Sequence, residues 1–459
     1  MYGRPRSAAP EVRADAVGSP ASIVARVNPR AAPDPSPAAP PTFRDGPYCI
    51  DLSAAAHERA GLGRYAACLA EALLAEGVPL TAFVNDASAS HLRPPLSELP
   101  TVTAGLSRKP WRVRAALTYA GGPSVAALRD LRLFHATEHL LPRIPRARTV
   151  FTLHDTAYLL FPQHHLPRNR IFLRLMMPRF LRQADRIIAV SENTRREALR
   201  SYDLDPERID VIPEGVDERF RADVDPGAVE EIRGRYALPP RFVLSIGTIE
   251  PRKNLTTLLE AFVAVRGRHP DVGLVIAGGR GWMYESFFER LRQLGLERDA
   301  VLTGYVPDGD VPALLNAAEV FAFPSEFEGF GLPPLEAMAC GVPVVASHVG
   351  GLAETVEDGV TGLHVPPRRP DRIADAVARL MADPDRRRRM GAAGVSRARR
   401  YGWDRIAAET LRLGMALAAA AQAPQQAASG ASRSASVGER TRQRNGHGHG
   451  GSVRRTVHQ

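Results

Sequence analysis

Short apolar runs rich in β-branched residues alternate with amphipathic helical stretches along most of the chain. The predicted strands are 48–52, 80–85, 133–136, 149–153, 186–190 and 209–212 in the first half, and 242–246, 273–277, 300–303, 320–323 and 342–346 in the second. Between the strands of the second half, helices are predicted at 254–266, 312–318 and 370–381. This alternation indicates βα units and parallel sheets.

Two series of these units predict an α/β fold with two Rossmann-like domains. The domains are expected at 47–225 and 240–400, joined through the Pro- and charge-rich residues 221–240. A last helix over 401–420 is expected to return to the first domain. The carboxyl ends of the strands would face the cleft between the domains, where α/β sheets bind ligands.

Composition adds limits to this architecture. With 44% hydrophobic and 24% charged residues, the 459-residue chain is globular, although residues 1–46 and 421–459 lack apolar periodicity and are predicted to be disordered tails. No apolar run reaches the roughly 18 residues of a membrane span, and the N-terminus shows no secretory signal. The scattered Cys49, Cys68 and Cys340 have no disulfide or metal spacing, which favours the reducing cytosol.

The net charge of +10 raises the question of a nucleic-acid partner. All but two of the 60 basic residues are arginine, which is typical of a GC-rich genome, and half of the net charge lies in the C-terminal tail. Binding of nucleic acid through that Arg-rich tail is therefore kept only as an alternative, and no nucleic-acid partner is predicted.

The most unusual residues of the second half follow the predicted strands. After the strand 242–246 come Gly247 and then Arg252 and Lys253, directly before a helix. A glycine allows close approach to the backbone, and two cations at a helix N-terminus suit a diphosphate. Two solvated cations on a loop are the alternative, but Lys253 is one of only two lysines in the chain, which favours the phosphate interpretation.

A second loop and the helix that follows it carry three acids. Glu326 and Glu328 follow the strand 320–323, and Glu336 lies on the helix predicted to open near Pro333. Carboxylates in these places can accept hydrogen bonds from vicinal sugar hydroxyls. A helix-capping glutamate with solvated neighbours would explain only one of these acids.

These residues resemble a known family. Glu328 and Glu336, with seven residues between them, match the E-x7-E motif of the retaining glycosyltransferases of family 4, which have the two-domain GT-B fold. The segments 324–347, 247–254, 212–217, 304–307 and 189–194 are also close to the family consensus, and the resemblance extends over about 48–420. The Glu-Pro-Arg-Lys-Asn segment most resembles mannosyltransferase-type members that build surface polysaccharides.

The resemblance implies a role for each matching residue. Arg252 and Lys253 would neutralise the donor diphosphate, Glu328 would contact the hydroxyls of the donor sugar, and His154 would lie in the cleft beside that sugar. The nucleotide sugar would be bound by Gly61, Gly63, Gly247, Gly279, Phe330, Gly331, Leu332, Glu336, Gly350 and Gly351, with Glu336 on the ribose. The sequence departs from many relatives at Glu214, where they have asparagine, and at Ala353, where they have proline.

Three other patterns have alternative interpretations. Gly61, Gly63 and Asp86 imitate a dinucleotide fingerprint, but the glycines follow the strand end by some nine residues, which disfavours an NAD enzyme. Four Asp-x-Asp pairs, at 203–205, 223–225, 308–310 and 383–385, resemble the metal-binding DxD motif of the other glycosyltransferase fold. Their turn-like contexts are instead attributed to chance and helix capping, so no metal and no cofactor are predicted. The basic amphipathic segment 168–182 fits either an anionic lipid surface or a helix packed on its own domain.

Together these expectations describe a retaining glycosyltransferase without metal. It would transfer a hexose, mannose above all, from GDP-mannose or a UDP-hexose to a saccharide or lipid-linked acceptor bound by the first domain. The location would be cytoplasmic, at the inner face of the plasma membrane if 168–182 contacts lipid. The alternative is a binding protein that keeps the cleft without turnover.

Overall fold

The structure, a computed structural model, describes residues 48–58, 60–87 and 91–419. The two predicted tails lie outside the described residues. In the first half, seven parallel strands form a sheet in the order β3-β2-β1-β4-β5-β6-β7. The strands are β1 Tyr48–Asp51, β2 Leu80–Val84, β3 Thr101–Thr103, β4 Leu133–Ala136, β5 Arg148–Leu153, β6 Arg186–Ala189 and β7 Ile209–Val211.

A second parallel sheet of six strands has the order β10-β9-β8-β11-β12-β13. Its strands are β8 Arg241–Ile246, β9 Val272–Ala277, β10 Ala300–Gly304, β11 Val320–Phe323, β12 Val344–Ser347 and β13 Gly362–Val365. Both sheets carry helices on their faces, as parallel sheets require, so the predicted α/β fold with two Rossmann-like halves is confirmed.

The helices follow the strands in the expected alternation. They are α1 Ser53–Ala56, α2 Ala60–Ala75, α3 Arg108–Leu117, α4 Ala157–Leu160, α5 Pro167–Gln183, α6 Glu192–Ser201, α7 Pro226–Arg235, α8 Leu255–Arg268, α9 Glu285–Gln293, α10 Val311–Ala317, α11 Leu332–Ala339, α12 Leu352–Thr355, α13 Pro370–Ala382, α14 Pro384–Ala398 and, over 403–419, α15. Among the described residues, no helix is long and apolar enough to cross a membrane.

Two strands were not predicted from the sequence, and a helix lies where a linker was expected. The edge strands β3 and β13 are short and partly exposed, so they lack the continuous apolar run by which a central parallel strand is recognised. The stretch 221–240, interpreted as a linker, contains α7. Pro226 stands in the first turn of α7, and its Ile232 is buried in the core of the second sheet; α7 therefore belongs to the second half.

Each sheet has apolar clusters that its helices cover. In the first half, one of these clusters includes Tyr48 and Ile188 from the sheet together with Ile406, Ala407 and Leu411 from α15. The last described helix thus contributes to the core of the first half. The three cysteines are buried and unpaired.

The loops that follow the strands bring the two halves into contact. After β6, Ser191 Oγ donates to the Gly329 carbonyl of the second half at 2.6 Å. The backbone amides of Glu192 and Asn193, at the start of α6, donate to the Glu354 carboxylate at 2.9 and 2.7 Å. The negative charge of Glu354 complements the N-terminus of α6, so this contact helps to close the cleft.

Candidate active site

The loop after β8 presents two adjacent cations. A single turn over Pro251–Lys253 leads to Asn254, whose left-handed φ of 53° precedes α8. Asn254 Nδ2 donates to the Pro324 carbonyl, just after β11, at 3.0 Å. Because β8 and β11 are neighbours in the sheet, this bond holds the cations beside the loop that carries the acids.

Arg252 and Lys253 converge on the carboxylate of Glu328. Arg252 Nη1 lies 2.7 Å from Glu328 Oε2, and Lys253 Nζ lies 2.6 Å from Glu328 Oε1. Arg252 Nη2 also donates to Glu250 Oε1 at 2.9 Å. We call these four residues the cation cluster. Its two cations and two carboxylates have formal charges that cancel, which makes their burial tolerable.

The cluster sets the protonation state of Glu328. Burial raises the pKa of this carboxyl, but the charges of Arg252 and Lys253 outweigh burial and lower the pKa to about 2. Glu328 is therefore ionised at neutral pH and only accepts hydrogen bonds. Such a group can accept from the hydroxyls of a sugar while the cations beside it attract phosphate.

Glycines allow the loops around Glu328 to approach closely. A Cβ on Gly329 would lie 1.7 Å from the His154 carbonyl oxygen. Gly350 has a φ of 52°, and a Cβ there would lie 2.1 Å from the Glu328 carbonyl oxygen. Neither position can hold a side chain, so the loops after β5, β11 and β12 meet through backbone.

His154 follows β5 and is buried against residues of the first half, with both ring nitrogens engaged. Nδ1 lies 2.9 Å from Glu214 Oε1, and Nε2 lies 2.9 Å from the Thr137 carbonyl. Tyr65 packs edge-on against the ring at 4.8 Å. Burial lowers the pKa of His154, but the hydrogen bond and charge of Glu214 outweigh it and raise the pKa. An imidazolium that donates from both nitrogens fits this geometry.

Glu336 lies in a second polar contact between the halves. It is 2% exposed on α11 and forms an ion pair with Arg64 of α2. The second nitrogen of the same guanidinium lies 2.7 Å from Asp308. Arg64 thus connects the first half to the carboxylate that the resemblance assigns to the ribose.

The other predicted ligands of the nucleotide sugar divide into two groups. Gly247, Gly279, Phe330, Gly331, Leu332, Gly350 and Gly351 all lie in loops after β8, β9, β11 and β12 or at the start of α11. Gly61 and Gly63 instead lie in the first turn of α2. A Cβ on Gly63 would lie 2.8 Å from the Ala54 carbonyl oxygen, whereas Gly61 faces open space. Packing of α1 on α2 therefore accounts for Gly63.

Residues that sequence reasoning did not select also shape the site. Arg64 and Asp308 are 244 positions apart, so only the fold reveals their contact. Within the four Asp-x-Asp pairs, Asp205, Asp225 and Asp383 cap helical turns, as expected. Asp310 instead binds Arg235 at 2.6 Å. No group of three or more His, Cys, Asp or Glu in the described part of the chain is arranged to hold a metal ion.

Comparison with known proteins identifies the family. The model of glycosyl transferases group 1 matches residues 229–397, and that of Glycosyltransferase Family 4 matches residues 59–220. The O-antigen chain mannosyltransferase B of Escherichia coli is 33% identical over 67% of this chain and 81% of its own length. The chain belongs to glycosyltransferase family 4.

A further relative and a solved structure are also similar to this chain. A GDP-mannose-dependent alpha-(1-6)-phosphatidylinositol monomannoside mannosyltransferase of Mycobacterium tuberculosis is 40% identical over 44% of this chain and 54% of its own length. The structure of a sucrose-phosphate synthase from Thermosynechococcus elongatus shares the fold, with a TM-score of 0.66 and 24% identity over 82% of this chain and all of its own. The predicted GT-B fold and glycosyltransferase class are confirmed.

In this family 4 enzyme, we expect Glu214→Gln to destabilise the fold in a pH-dependent way. A histidine whose folded-state pKa is raised above its unfolded value, about 6.5, stabilises the fold below that value, and the contribution is lost as the pH rises through the folded-state pKa. Thermal unfolding should therefore show that the variant has a lower free energy of unfolding than wild type, by about 2 kcal/mol at about pH 5.5 and by less at about pH 9.

The matched control is Glu357→Gln. Glu357 pairs with Arg397 at 3.1 Å and is half-exposed. Because arginine keeps its charge over this pH range, the destabilisation caused by Glu357→Gln should not depend on pH. An equal loss for Glu214→Gln at both pH values would show that the His154–Glu214 pair is not ionic.

Proposed function

We propose that the enzyme is a retaining hexosyltransferase that moves mannose from a nucleotide diphosphate sugar to a saccharide or lipid-linked acceptor. The observation that carries this proposal is the cation cluster, in which Arg252 and Lys253 both contact the ionised Glu328. Positive charge for a leaving diphosphate and an acceptor group for sugar hydroxyls therefore lie within one hydrogen-bond length of each other.

In the proposed reaction, Arg252 and Lys253 stabilise the departing diphosphate. Negative charge grows on the phosphate oxygen as the glycosidic bond breaks, and cations fixed beside that oxygen stabilise this charge strongly. The hydrogen bonds to Glu328 and Glu250 hold the two cations in place before the donor arrives. Little reorganisation is then needed during the reaction.

Glu328 would bind the sugar and would not attack it. A carboxylate held by two cations, with a pKa lowered to about 2, is a poor nucleophile. We therefore favour front-face substitution, in which the leaving phosphate oxygen accepts the proton of the acceptor hydroxyl as the new bond forms. Positive charge that develops on the sugar ring is stabilised by the negative charge of Glu328.

Glu336 would hold the ribose of the donor. It lies on α11 and contacts Arg64 instead of the cation cluster, so its role is distinct from that of Glu328. The ribose does not change in the reaction, and contacts to it should be equally strong in the ground and transition states.

The identity of the donor is proposed from the relatives. Two of them are named as mannosyltransferases, one of these as GDP-mannose-dependent. We infer GDP-mannose as the first donor to test, with a UDP-hexose as the alternative, and surface polysaccharide or glycan synthesis at the cytoplasmic face of the membrane as the process. A protein that binds the donor without turnover would be recognised by the assay below.

We expect Glu328→Gln and Glu336→Gln to give different kinetic signatures. Glu328→Gln should lower kcat by about a hundredfold, because it removes charge next to the reacting ring. Glu336→Gln should mainly raise the donor KM, because a contact that is equally strong in the ground and transition states is lost. Steady-state kinetics at varied GDP-mannose and UDP-hexose concentrations measure both effects.

The control is Glu319→Gln. Glu319 binds Arg241 at 2.7 Å at the opposite end of β8 from the site, so both kinetic constants should stay near wild type. The same loss of kcat with unchanged KM in both site variants would remove the ribose assignment for Glu336. Donor binding without any turnover in the wild type would favour the non-catalytic alternative.

The first half carries a surface that combines exposed apolar side chains with basic ones, and this surface supports contact with a lipid-linked acceptor. One side of α5 is buried through Leu173, Met177 and Phe180, so the packing interpretation of 168–182 is correct for that side. On the exposed side, Ile171 and Leu175 are 54% and 57% exposed.

The neighbouring α3 extends this surface. Val113 and Leu117 of α3 are 59% and 49% exposed, and Arg112 joins the two helices through a 3.0 Å bond to Asn169. Four basic residues in α3 and five in α5 occur without an acidic residue in either helix. Exposed apolar side chains among cations are typical of surfaces that bind anionic lipid.

We expect the double variant Ile171→Ser, Leu175→Ser to lose about tenfold or more in affinity for vesicles that contain phosphatidylglycerol, because two apolar side chains no longer enter the interface. Co-sedimentation with anionic and with neutral phosphatidylcholine vesicles measures this. Val263→Ser, Val360→Ser, which alters exposed valines of the second half, is the control and should bind as wild type. Equal binding of the wild type to both vesicles would contradict the proposal.

A further inference from the structure

A polar cavity of about 170 Å³ lies beside the cation cluster. Most of its lining comes from the loop after β8 and from the start of α9, and His164 is contributed by the first half. Pockets for drug-sized ligands measure about 300–1,000 Å³, so this cavity fits a single sugar ring and not an oligosaccharide.

Two buried carboxylates face this cavity. Glu250 and Glu326 both line it, and they are 6% and 7% exposed. Arg368 binds Glu326 through two hydrogen bonds of 2.6 Å, and Arg252 binds one oxygen of Glu250. A carboxylate has about four acceptor sites, so both groups retain the capacity to accept hydrogen bonds from a ligand.

His164 supplies an independent sign that a polar ligand belongs here. The side chain lines the cavity and is 7% exposed. Its Nδ1 is buried and has no hydrogen-bond partner among the described residues, a costly arrangement for a polar atom. Burial lowers the pKa of His164, and a neutral imidazole can both donate and accept.

The remaining walls suit the apolar faces of a pyranose ring. Tyr284 and Phe287 contribute aromatic side chains, and Thr256 and Ser286 contribute hydroxyls. Aromatic walls with a few well-placed polar groups are typical of small-molecule sites. Carboxylates together with aromatic rings match the alternating polar edge and apolar face of a hexose.

We propose that this cavity is a subsite for one hexopyranose ring of the acceptor. The subsite rests on the proposed function, because it would position the acceptor next to the reacting donor. The backbone amide of Glu326 donates to the Arg252 carbonyl at 2.8 Å, so the cavity and the cation cluster share a wall. The donor sugar is bonded to the diphosphate and belongs at Glu328, whereas this cavity lies at Glu250 and Glu326.

The contact of the cavity with the first half also favours the acceptor, and not the donor, as the sugar that occupies it. The indole of Trp282, next to the cavity residue Met283, donates to the His164 carbonyl at 2.7 Å. The cavity is therefore completed by the half to which the sequence assigns the acceptor. A ring held there would lie between the two domains, with the cation cluster on one side.

The test measures sugar binding directly. Saturation-transfer NMR is recorded with the methyl α-pyranosides of mannose, glucose and galactose, each in the presence of saturating GDP and, separately, UDP. At least one glycoside should bind the wild-type enzyme. Ser286→Phe, which fills the cavity, should abolish this signal, whereas Ser396→Phe, the same change at an exposed position of α14, should retain it.

A second pair of variants separates sugar binding from a structural ion pair. Glu326→Gln should weaken the glycoside about tenfold or more, because a charged acceptor is lost. Arg368→Gln breaks the same ion pair but leaves the carboxylate, so glycoside affinity should stay within about threefold of wild type. Equal losses in the two variants would mean that the pair is only structural and would overturn the proposal.

Two further outcomes would also overturn it. One is that none of the three glycosides binds. The other is that GDP-mannose or UDP-glucose displaces the glycoside while GDP and UDP do not, because the ring would then belong to the donor. Thermal stabilisation by GDP and UDP is measured in every variant, so a failure of the subsite with intact nucleotide binding leaves the proposed function standing.

Discussion

The site depends on holding two cations inside a cleft without leaving their charge unpaired. An isolated buried charge is very costly, whereas a charge in a well-bonded pair is tolerated. Arg252 and Lys253 meet this condition through Glu328 and Glu250. The pairing is possible because β8 and β11 are neighbours whose loops emerge at the same edge of the sheet. Stability of the cleft and the proposed binding of a diphosphate thus depend on the same bonds.

The same principle extends across the two halves. Arg64 reaches Glu336, Glu354 receives the amides at the start of α6, and Ser191 binds the loop of Glu328. Each contact pairs a charged or polar group of one half with a polar group of the other. The relative position of the halves is therefore coupled to the carboxylates that we assign to the donor, and binding and closure of the cleft should influence each other.

Sequence reasoning predicted the central strands well, because β1, β5, β8 and β9 are almost entirely buried and rich in apolar and β-branched residues. It did not find β3 and β13, whose exposed positions break that pattern. Motif residues such as Glu328 could be selected, but their partners could not. Glu328 and Lys253 are 75 positions apart, and Arg64 and Glu336 are 272 apart, so only the folded chain reveals these ion pairs.

The central claim is that Arg252 and Lys253 bind the diphosphate of the donor, and its most direct test, made at Lys253, is calorimetric titration with GDP, UDP and ADP and with the corresponding monophosphates. In the wild type, the best diphosphate should bind about tenfold or more tightly than its monophosphate, a difference of about 1.4 kcal/mol. Lys253→Ala should remove most of this preference and leave monophosphate affinity unchanged, and Lys109→Ala, at the only other lysine, should preserve it. An undiminished preference in Lys253→Ala would contradict the account.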